Sequence, residues 1–182
     1  MITASVQTLE NRVPISVEAF HMLYNQGLIP EKAELIEGVI YSKMPKNPIH
    51  SNVLRKLNLY LYKALGDQFI LSSENPISFD DSEPEPDISV LPLGDYSKFH
   101  PKTAILVVEI ANTSLSFDTR KASVYAKGAV PEYIIFNLAD SEMEVYRSVK
   151  ESVYTEIRIL SKEEEFISSV LPDVRFSLQN FL

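Results

Sequence analysis

Apolar side chains recur at helical spacing in two stretches of the chain, one of them long. The long stretch predicts a helix from about His50 to Leu65, which ends before Gly66, a residue typical of helix C-termini. Its apolar face comprises Val53, Leu54, Leu57, Leu61 and Leu65. A shorter helix is predicted after Ser16, a typical N-cap residue. Its core-facing residues are predicted to be Phe20, Leu23 and Tyr24.

Short apolar runs bounded by turn residues predict strands in most of the remaining chain. Two of them, Ala33–Ile36 and Val39–Ser42, flank Glu37-Gly38 and therefore predict a hairpin. The other predicted strands are Gln68–Ser72, Ile77–Phe79, Asp87–Leu91, Ala104–Ala111, Glu132–Leu138, Met143–Ser148 and Val153–Leu160.

A short amphipathic helix is predicted after Asp118, ending near Lys127-Gly128, and Ala139-Asp140-Ser141 predicts a hairpin turn. The order of elements is therefore helix, hairpin, long helix, several strands, helix and further strands. This order predicts an α+β or mixed α/β fold, in which helices pack against a largely mixed sheet.

The size and composition are those of an ordinary globular protein. A chain of 182 residues is expected to form one domain, residues 1–182, with a proper core. No apolar run approaches the length of a membrane span, so we expect no membrane partner. The chain contains no cysteine, which excludes disulfides and thiolate metal sites and fits a cytoplasmic location.

The formal net charge of −8 argues against non-specific binding to nucleic acid. Neutralisation of phosphates by basic side chains supplies much of the affinity of such proteins. A metal-dependent nuclease partly escapes this objection, because cations occupy its acidic cluster in the working state.

Carboxylates are concentrated next to two apolar strands. Five acidic residues lie within the eight residues from Asp80 to Asp87, directly before Ile88–Leu91, and Glu109 interrupts the apolar run Ala104–Ala111. A charge within an apolar strand is costly to desolvate unless something pairs with it. Asp87 and Glu109 could share a divalent cation, since Mg²⁺ takes oxygen ligands from carboxylates, water and phosphate. This predicts a metal site for phosphodiester chemistry.

Two other interpretations of these acids stay open. Glu109 could form a salt bridge with a lysine or arginine, and the acids before Asp87 could be a solvated loop. A calcium-binding module built on the acidic run ranks last, because the spaced ligands and central glycine of a calcium loop are missing.

Several motifs in order resemble the Uma-type putative restriction endonucleases, which belong to the PD-(D/E)XK nuclease superfamily. They are Glu34-Leu35-Ile36-Glu37-Gly38-Val39-Ile40, Pro45-Lys46-Asn47-Pro48-Ile49-His50, Glu85-Pro86-Asp87-Ile88-Ser89-Val90, Val107-Val108-Glu109-Ile110-Ala111, Lys121-Ala122-Ser123-Val124-Tyr125-Ala126 and Val130-Pro131-Glu132-Tyr133. The resemblance extends from about Glu31 to Pro172-Asp173. It implies a restriction-endonuclease-like core, here with an additional N-terminal hairpin and C-terminal strands, and hydrolysis of DNA with Mg²⁺ or Mn²⁺.

The resemblance also implies roles for particular residues. Asp87 and Glu109 match the two acids that ligate the metal. The superfamily places a lysine two residues after the second acid, where this chain has Ala111. The resemblance offers Lys121 instead, which would position the attacking water and stabilise developing charge. Glu34 matches an acid that completes the site, and His50 matches a histidine that orients a ligand or contacts phosphate.

Each of these assignments has a structural alternative. Lys121 could be a surface lysine, and the family's aspartate usually lies four residues before it, whereas Asp118 lies three before. A helix shortened in this way could turn Lys121 away from the acids. Glu34 could support a strand edge, and His50 could cap a helix.

Two functions follow from these readings. The first is a metal-dependent endonuclease. The second is a catalytically degenerate nuclease-fold protein that binds DNA or a protein. We also expect a homodimer, because symmetric dimers are the commonest oligomers. The apolar C-terminal residues Phe166, Ile167, Val170, Leu171 and Phe181 could supply its interface or could complete the monomer core.

Overall fold

A six-stranded mixed sheet forms the centre of the molecule, with helices against both faces. The structure, a computed structural model, describes residues 12–43 and 45–182. Its helices are α1 (Val17–Asn25), α2 (Pro48–Leu65) and α3 (Leu115–Lys127), with short 3₁₀ turns at Gly66–Gln68 and Leu178–Asn180. Its strands are β1 (Ala33–Ile36), β2 (Val39–Ser42), β3 (Ile70–Ser72), β4 (Ile88–Leu91), β5 (Leu106–Ala111), β6 (Glu132–Asn137), β7 (Glu142–Lys150), β8 (Val153–Ser161), β9 (Phe166–Ile167) and β10 (Arg175–Phe176).

The central sheet has the strand order β3-β4-β5-β6-β7-β8, and β5 and β6 are its one parallel pair of neighbours within the described ranges. Helix α3 connects β5 to β6, as a parallel pair requires a crossover. The strands β1 and β2 form a separate hairpin, and β9 pairs with β10. This architecture confirms the expected mixed α/β class with an N-terminal hairpin and further C-terminal strands.

The alternation of side chains along β5 divides the core into two layers. Leu106, Val108 and Ile110 pack with the apolar face of α2, whereas Val107 and Ala111 pack with residues of α3 and β6. All five apolar positions predicted for α2 are buried. Glu109 lies on the α3 side of the sheet, the face that strand alternation predicts.

Helix α1 confirms the expected N-cap, because the Ser16 side chain accepts a hydrogen bond from the backbone of Ala19. Only Phe20 among its three predicted core residues is fully buried. Tyr24 is 48% exposed, so its placement in the core was wrong. The helix packs on a small peripheral cluster around Ala33 and Leu35, which covers little of its surface.

One predicted strand and the predicted start of one helix were wrong, for reasons of tertiary context. Residues Ile77–Phe79 form no strand, because their amides donate to carbonyls of Pro84, Pro101 and Ser82 in neighbouring loops rather than to a sheet. Helix α3 begins at Leu115 rather than after Asp118, so Asp118 lies inside its first turn.

The C-terminal apolar residues complete the monomer core. Phe166, Leu171 and Phe181 are buried in the cluster beneath α2, and Val170 packs against it. Of the five residues considered for a dimer interface, Ile167 alone is exposed. This segment is therefore core rather than contact surface. Within residues 12–43 and 45–182, no helix has the length and apolarity needed to span a bilayer.

The β1–β2 hairpin is joined to the segment before β4 by an isolated antiparallel bridge. Leu35 donates to the Glu83 carbonyl at 3.3 Å, and Glu83 donates back to the Leu35 carbonyl at 2.7 Å. The bridge holds Glu34 beside the chain that leads to Asp87, so this attachment brings the hairpin to the site.

The hairpin turn requires glycine at Gly38, and this is testable. Gly38 has φ of 72°, and a Cβ there would lie 2.3 Å from Cβ of Pro14. We expect Gly38→Ala to lower the free energy of unfolding by about 1–3 kcal/mol, through backbone strain and this clash. Gly27→Ala is the control, because Gly27 has φ of 66° but no atom within 4 Å of the added carbon. Equal losses in urea unfolding would contradict the proposed clash.

Candidate functional site

One cleft contains all five candidate site residues that the sequence predicted. It has a volume of about 390 Å³ and opens between the hairpin, the start of α2, the end of β5 and the start of α3. Glu34, His50, Asp87, Glu109 and Lys121 line it, and all five side chains are buried.

The register of β4 and β5 brings Asp87 and Glu109 together. Ile88 lies opposite Val108 in this antiparallel pair, so the residue before Ile88 comes opposite the residue after Val108. The Asp87 amide donates to Glu109 Oε2 at 3.3 Å, and the Ile110 amide donates to Asp87 Oδ2 at 2.8 Å. Residues 22 positions apart are thus held as adjacent acids.

Lys121 lies on the face of α3 that is turned toward the sheet. Its Nζ donates to Glu109 Oε1 at 2.9 Å and lies 3.0 Å from Glu34 Oε2 and 3.7 Å from Asp118 Oδ1. The side chain is 3% exposed, so its interpretation as a surface lysine was wrong. A separation of three residues places Asp118 and Lys121 on the same helix face. The shorter spacing therefore does not turn the lysine away.

His50 and Lys46 hold Asp87 from the opposite side. His50 Nε2 lies 3.0 Å from Asp87 Oδ2, and Lys46 Nζ donates to Asp87 Oδ1 at 2.8 Å. Burial alone would raise the pKa of Asp87, but the His50 hydrogen bond and charge, together with the Lys46 ammonium, hold it well below its usual range. The side chain of Asn47 caps α2 by accepting from the His50 amide, so His50 is not the capping residue.

Glu34 contacts both the lysine and the chain before Asp87. Besides its contact with Lys121, its Oε2 accepts a hydrogen bond from the Glu85 amide at 3.2 Å. Glu34 therefore lies inside the cleft and also braces the loop that carries Asp87. The contacts of Glu34 with Lys121 and with the Glu85 amide are therefore compatible both with support of the strand edge and with a role in the site.

The pKa values of Glu109 and Lys121 are both raised, which favours the neutral form of the acid and the charged form of the lysine. Burial, reinforced by the carboxylates of Asp118, Asp87 and Glu34, raises the pKa of Glu109 to about 8 in spite of the Lys121 ammonium. Burial would lower the pKa of Lys121, but Glu109, Glu34 and Asp118 outweigh it and raise that pKa. The lysine thus stays charged among carboxylates that repel one another.

The raised pKa of Glu109 predicts that the free energy of unfolding of the metal-free protein depends on pH. The pKa of Glu109 is about 8 in the folded state against an ordinary value of 4.5, so the folded state binds more protons over that interval. The contribution of Glu109 to stability is therefore complete below the unfolded pKa and is lost as pH rises through the folded one. Relative to Glu109→Gln, the wild type should lose unfolding free energy from about pH 5 to about pH 9. Parallel stability curves for the two proteins would contradict this.

The acids that precede Asp87 form a solvated loop only at Asp80 and Asp81, which are exposed. Glu83 is buried, with Oε1 2.7 Å from His21 Nε2, and Glu85 forms a 3.0 Å pair with Lys43. The Ser82 hydroxyl accepts a hydrogen bond from the Glu37 amide in the hairpin turn. Most of the run is thus a structural connection between the sheet and the hairpin.

Three residues of the site were not singled out from the sequence. Lys46 binds Asp87, Tyr125 donates to Glu109 Oε1 at 3.0 Å, and Asp118 flanks Lys121. Only Asp118 had a sequence signal, its spacing from Lys121. Lys46 lies in an irregular segment without periodicity, and Tyr125 has the pattern of an ordinary core residue.

The carboxylates of the cleft are paired with ammonium groups rather than arranged as a complete metal site. Within the described parts of the chain, no three histidine or acidic side chains stand in a metal-binding arrangement. The reason is visible in the contacts: Lys121 lies among Glu34, Glu109 and Asp118, while Lys46 and His50 hold Asp87.

Known proteins support the same fold. Residues 17–179 match the family model Uma2, described as a putative restriction endonuclease. No curated protein matches. Among solved structures, a putative nuclease of DUF820 from Anabaena variabilis is 18% identical, with a TM-score of 0.77 over 92% of this chain and 97% of that chain. Since the family model covers most of the sequence, the chain belongs to the Uma2 family of putative restriction endonucleases.

Proposed function

We propose that this protein is a metal-dependent endonuclease that hydrolyses phosphodiester bonds of DNA. The juxtaposition of Asp87, Glu109 and Lys121 in one cleft carries the proposal. Two acids on neighbouring strands and an ammonium beside them supply both kinds of group that phosphoryl chemistry needs: oxygen ligands for a cation and a positive charge for the transition state.

The donor set fits Mg²⁺ or Mn²⁺ by its chemistry. Four buried carboxylates line the cleft: Glu34, Asp87, Glu109 and Asp118. Lys121 and the half-buried Lys46 leave an excess of negative charge, which adds to the effect of burial in raising the pKa of Glu109. Asp87 and Glu109 would hold the ion. When bound, it would polarise the phosphate and lower the pKa of a water ligand.

The remaining residues act by position and charge. Lys121 would stabilise negative charge on the phosphate, and its contact with Glu34 keeps its ammonium directed into the cleft. His50 would fix the orientation of the Asp87 carboxylate through their 3.0 Å contact. Glu34 would position both Lys121 and the loop before Asp87.

Calorimetric titration with Mg²⁺ and Mn²⁺, together with cleavage of supercoiled plasmid DNA, tests this proposal. We expect saturable binding and cleavage that a chelator abolishes. Matched single-stranded and duplex substrates then identify the form of DNA that is cut. Absence of metal binding would contradict the proposal and would indicate that Asp87 and Glu109 only form structural ion pairs with Lys46 and Lys121.

A second candidate is a catalytically degenerate nuclease fold that binds DNA or a protein. It is favoured by Ala111 at the position where the superfamily carries a lysine, and by the pairing of the acids with ammonium groups. Metal-dependent stabilisation without cleavage of any DNA substrate would support this candidate over the enzyme.

A homodimer in the cytoplasm is part of the proposal. An enzyme that cuts both strands of a duplex often pairs two sites, and dimers with two-fold symmetry are the commonest assemblies. Sedimentation of the purified full chain tests the dimer. A monomer at all accessible concentrations would contradict it, and cell fractionation tests the location.

A further inference from the structure

Strand β8 forms one edge of the central sheet and is exposed along most of its length. It follows β7 at the end of the strand order, and it is nine residues long. Among the described residues, no backbone hydrogen bond from outside the sheet reaches residues 153–160. Such an edge presents unpaired amides and carbonyls that can accept another strand.

From Glu156 to Ile159, the side chains of β8 alternate between charged residues on one face of the sheet and apolar residues on the other. Val153, Ile157 and Ile159 are 55%, 59% and 62% exposed. Ile157 and Ile159 lie opposite Tyr146 and Glu144 of β7, on the face that carries α3. Glu156 and Arg158 are exposed and lie opposite Arg147 and Val145, on the other face.

The charge pattern of this strand is self-complementary under two-fold symmetry. Two antiparallel copies related by an axis perpendicular to the sheet must place one residue opposite itself, because paired side chains share a face. A register centred on Glu156 or on Arg158 sets identical charges against each other. Centring on Ile157 places Glu156 opposite Arg158 of the second copy, twice, because the symmetry repeats each contact.

We propose that β8 pairs with β8 of a second copy of this chain, antiparallel and centred on Ile157, so that the two central sheets join edge to edge. Ile157 then packs against its counterpart, and Ile159 lies opposite Thr155 of the other copy. Opposite charges and β-branched residues facing one another are the cross-strand pairs that stabilise antiparallel sheets.

This interface leaves both clefts open. Glu109 lies on β5, and β6 and β7 separate β5 from the joining strand β8. The inference thus deepens the homodimer of the proposed function, but it does not depend on nuclease activity. The proposed interface uses an exposed edge strand instead of the C-terminal segment, whose apolar residues other than Ile167 belong to the core or pack against it.

Charge exchange on the full-length protein tests the register. Arg158→Glu sets an acid against Glu156 of the other copy at both symmetry-related contacts, so we expect the dimer dissociation constant to rise about tenfold or more, measured by sedimentation equilibrium. The double variant Glu156→Arg/Arg158→Glu restores opposite charges and should return the constant close to the wild-type value. Lys63→Glu on the exposed side of α2 makes the same change of charge elsewhere and should leave it unaltered.

The outcomes separate this interface from the wider proposal. Weakening in Arg158→Glu with recovery in the double variant supports pairing centred on Ile157. A wild type that is monomeric overturns both the homodimer and this interface. A dimer that Arg158→Glu leaves intact, or that Lys63→Glu weakens equally, overturns the interface alone. Circular dichroism of each variant confirms that the fold is retained.

Discussion

Replacement of Glu109 by glutamine should reduce metal-dependent DNA cleavage to background while the protein stays folded. Glutamine retains the size of the side chain and one acceptor oxygen, which can accept from Tyr125 at the Oε1 position, but it removes the acceptor for the Asp87 amide at Oε2 and the charge that would bind the metal. Because Glu109 is costly to ionise without a cation, its neutral analogue should still fold near neutral pH. Plasmid cleavage measures the expected loss of activity, and calorimetric Mg²⁺ titration measures the expected loss of metal binding.

Asp87→Asn should behave in the same way toward cleavage, since it changes the other proposed ligand. Glu83→Gln is the matched control, because Glu83 is also a buried acid but pairs with His21 outside the cleft. It should retain cleavage. If Glu109→Gln kept wild-type cleavage, or if Glu83→Gln lost it to the same extent, the assignment of Glu109 as a metal ligand would be wrong.

Lys121→Met should affect both stability and activity. Methionine approximates the aliphatic chain but removes the one fully buried ammonium among the described residues of the cleft, and leaves Glu34, Glu109 and Asp118 facing one another. Removal of one partner from a buried ion pair costs about 3–5 kcal/mol of unfolding free energy. Loss of the charge that stabilises the transition state should slow cleavage by about 10²–10³-fold. Urea unfolding and single-turnover cleavage measure the two effects.

Two comparisons separate charge from packing in that variant. Lys127→Met removes an exposed lysine that pairs with Glu37, and such surface pairs contribute about 0–1 kcal/mol. The double variant Lys121→Met/Glu109→Gln removes the charge of both partners and should recover part of the lost stability. A double variant as unstable as the sum of the single changes would show that Lys121 and Glu109 do not act as a pair.

Local patterns in the sequence were enough to predict the elements that build the site. The helical spacing of leucines predicted α2, and alternation predicted the face of Glu109. Glu37-Gly38 predicted the hairpin, because its turn depends on residues that are adjacent in the chain. These signals are reliable since helix and strand periodicity follow from backbone geometry within a few residues.

Contacts between distant residues decided what the patterns left open. Burial of Lys121 depends on how α3 crosses the sheet, and the hold on Asp87 by His50 and Lys46 depends on where α2 begins. Burial of Glu83 likewise depends on the bridge to the hairpin. In each case the sequence showed only a charged residue, which is compatible with a solvated surface or with a cleft.

The sequence by itself therefore determined the class of fold, most element positions and the residue types of the candidate site. Tertiary structure alone decided the start of α3, the irregular path of Ile77–Phe79 and the burial of the C-terminal segment. The physical reason is the range of the interactions. Propensity and periodicity act within one or two turns of chain, whereas burial and ion pairing depend on neighbours that only the folded chain brings together.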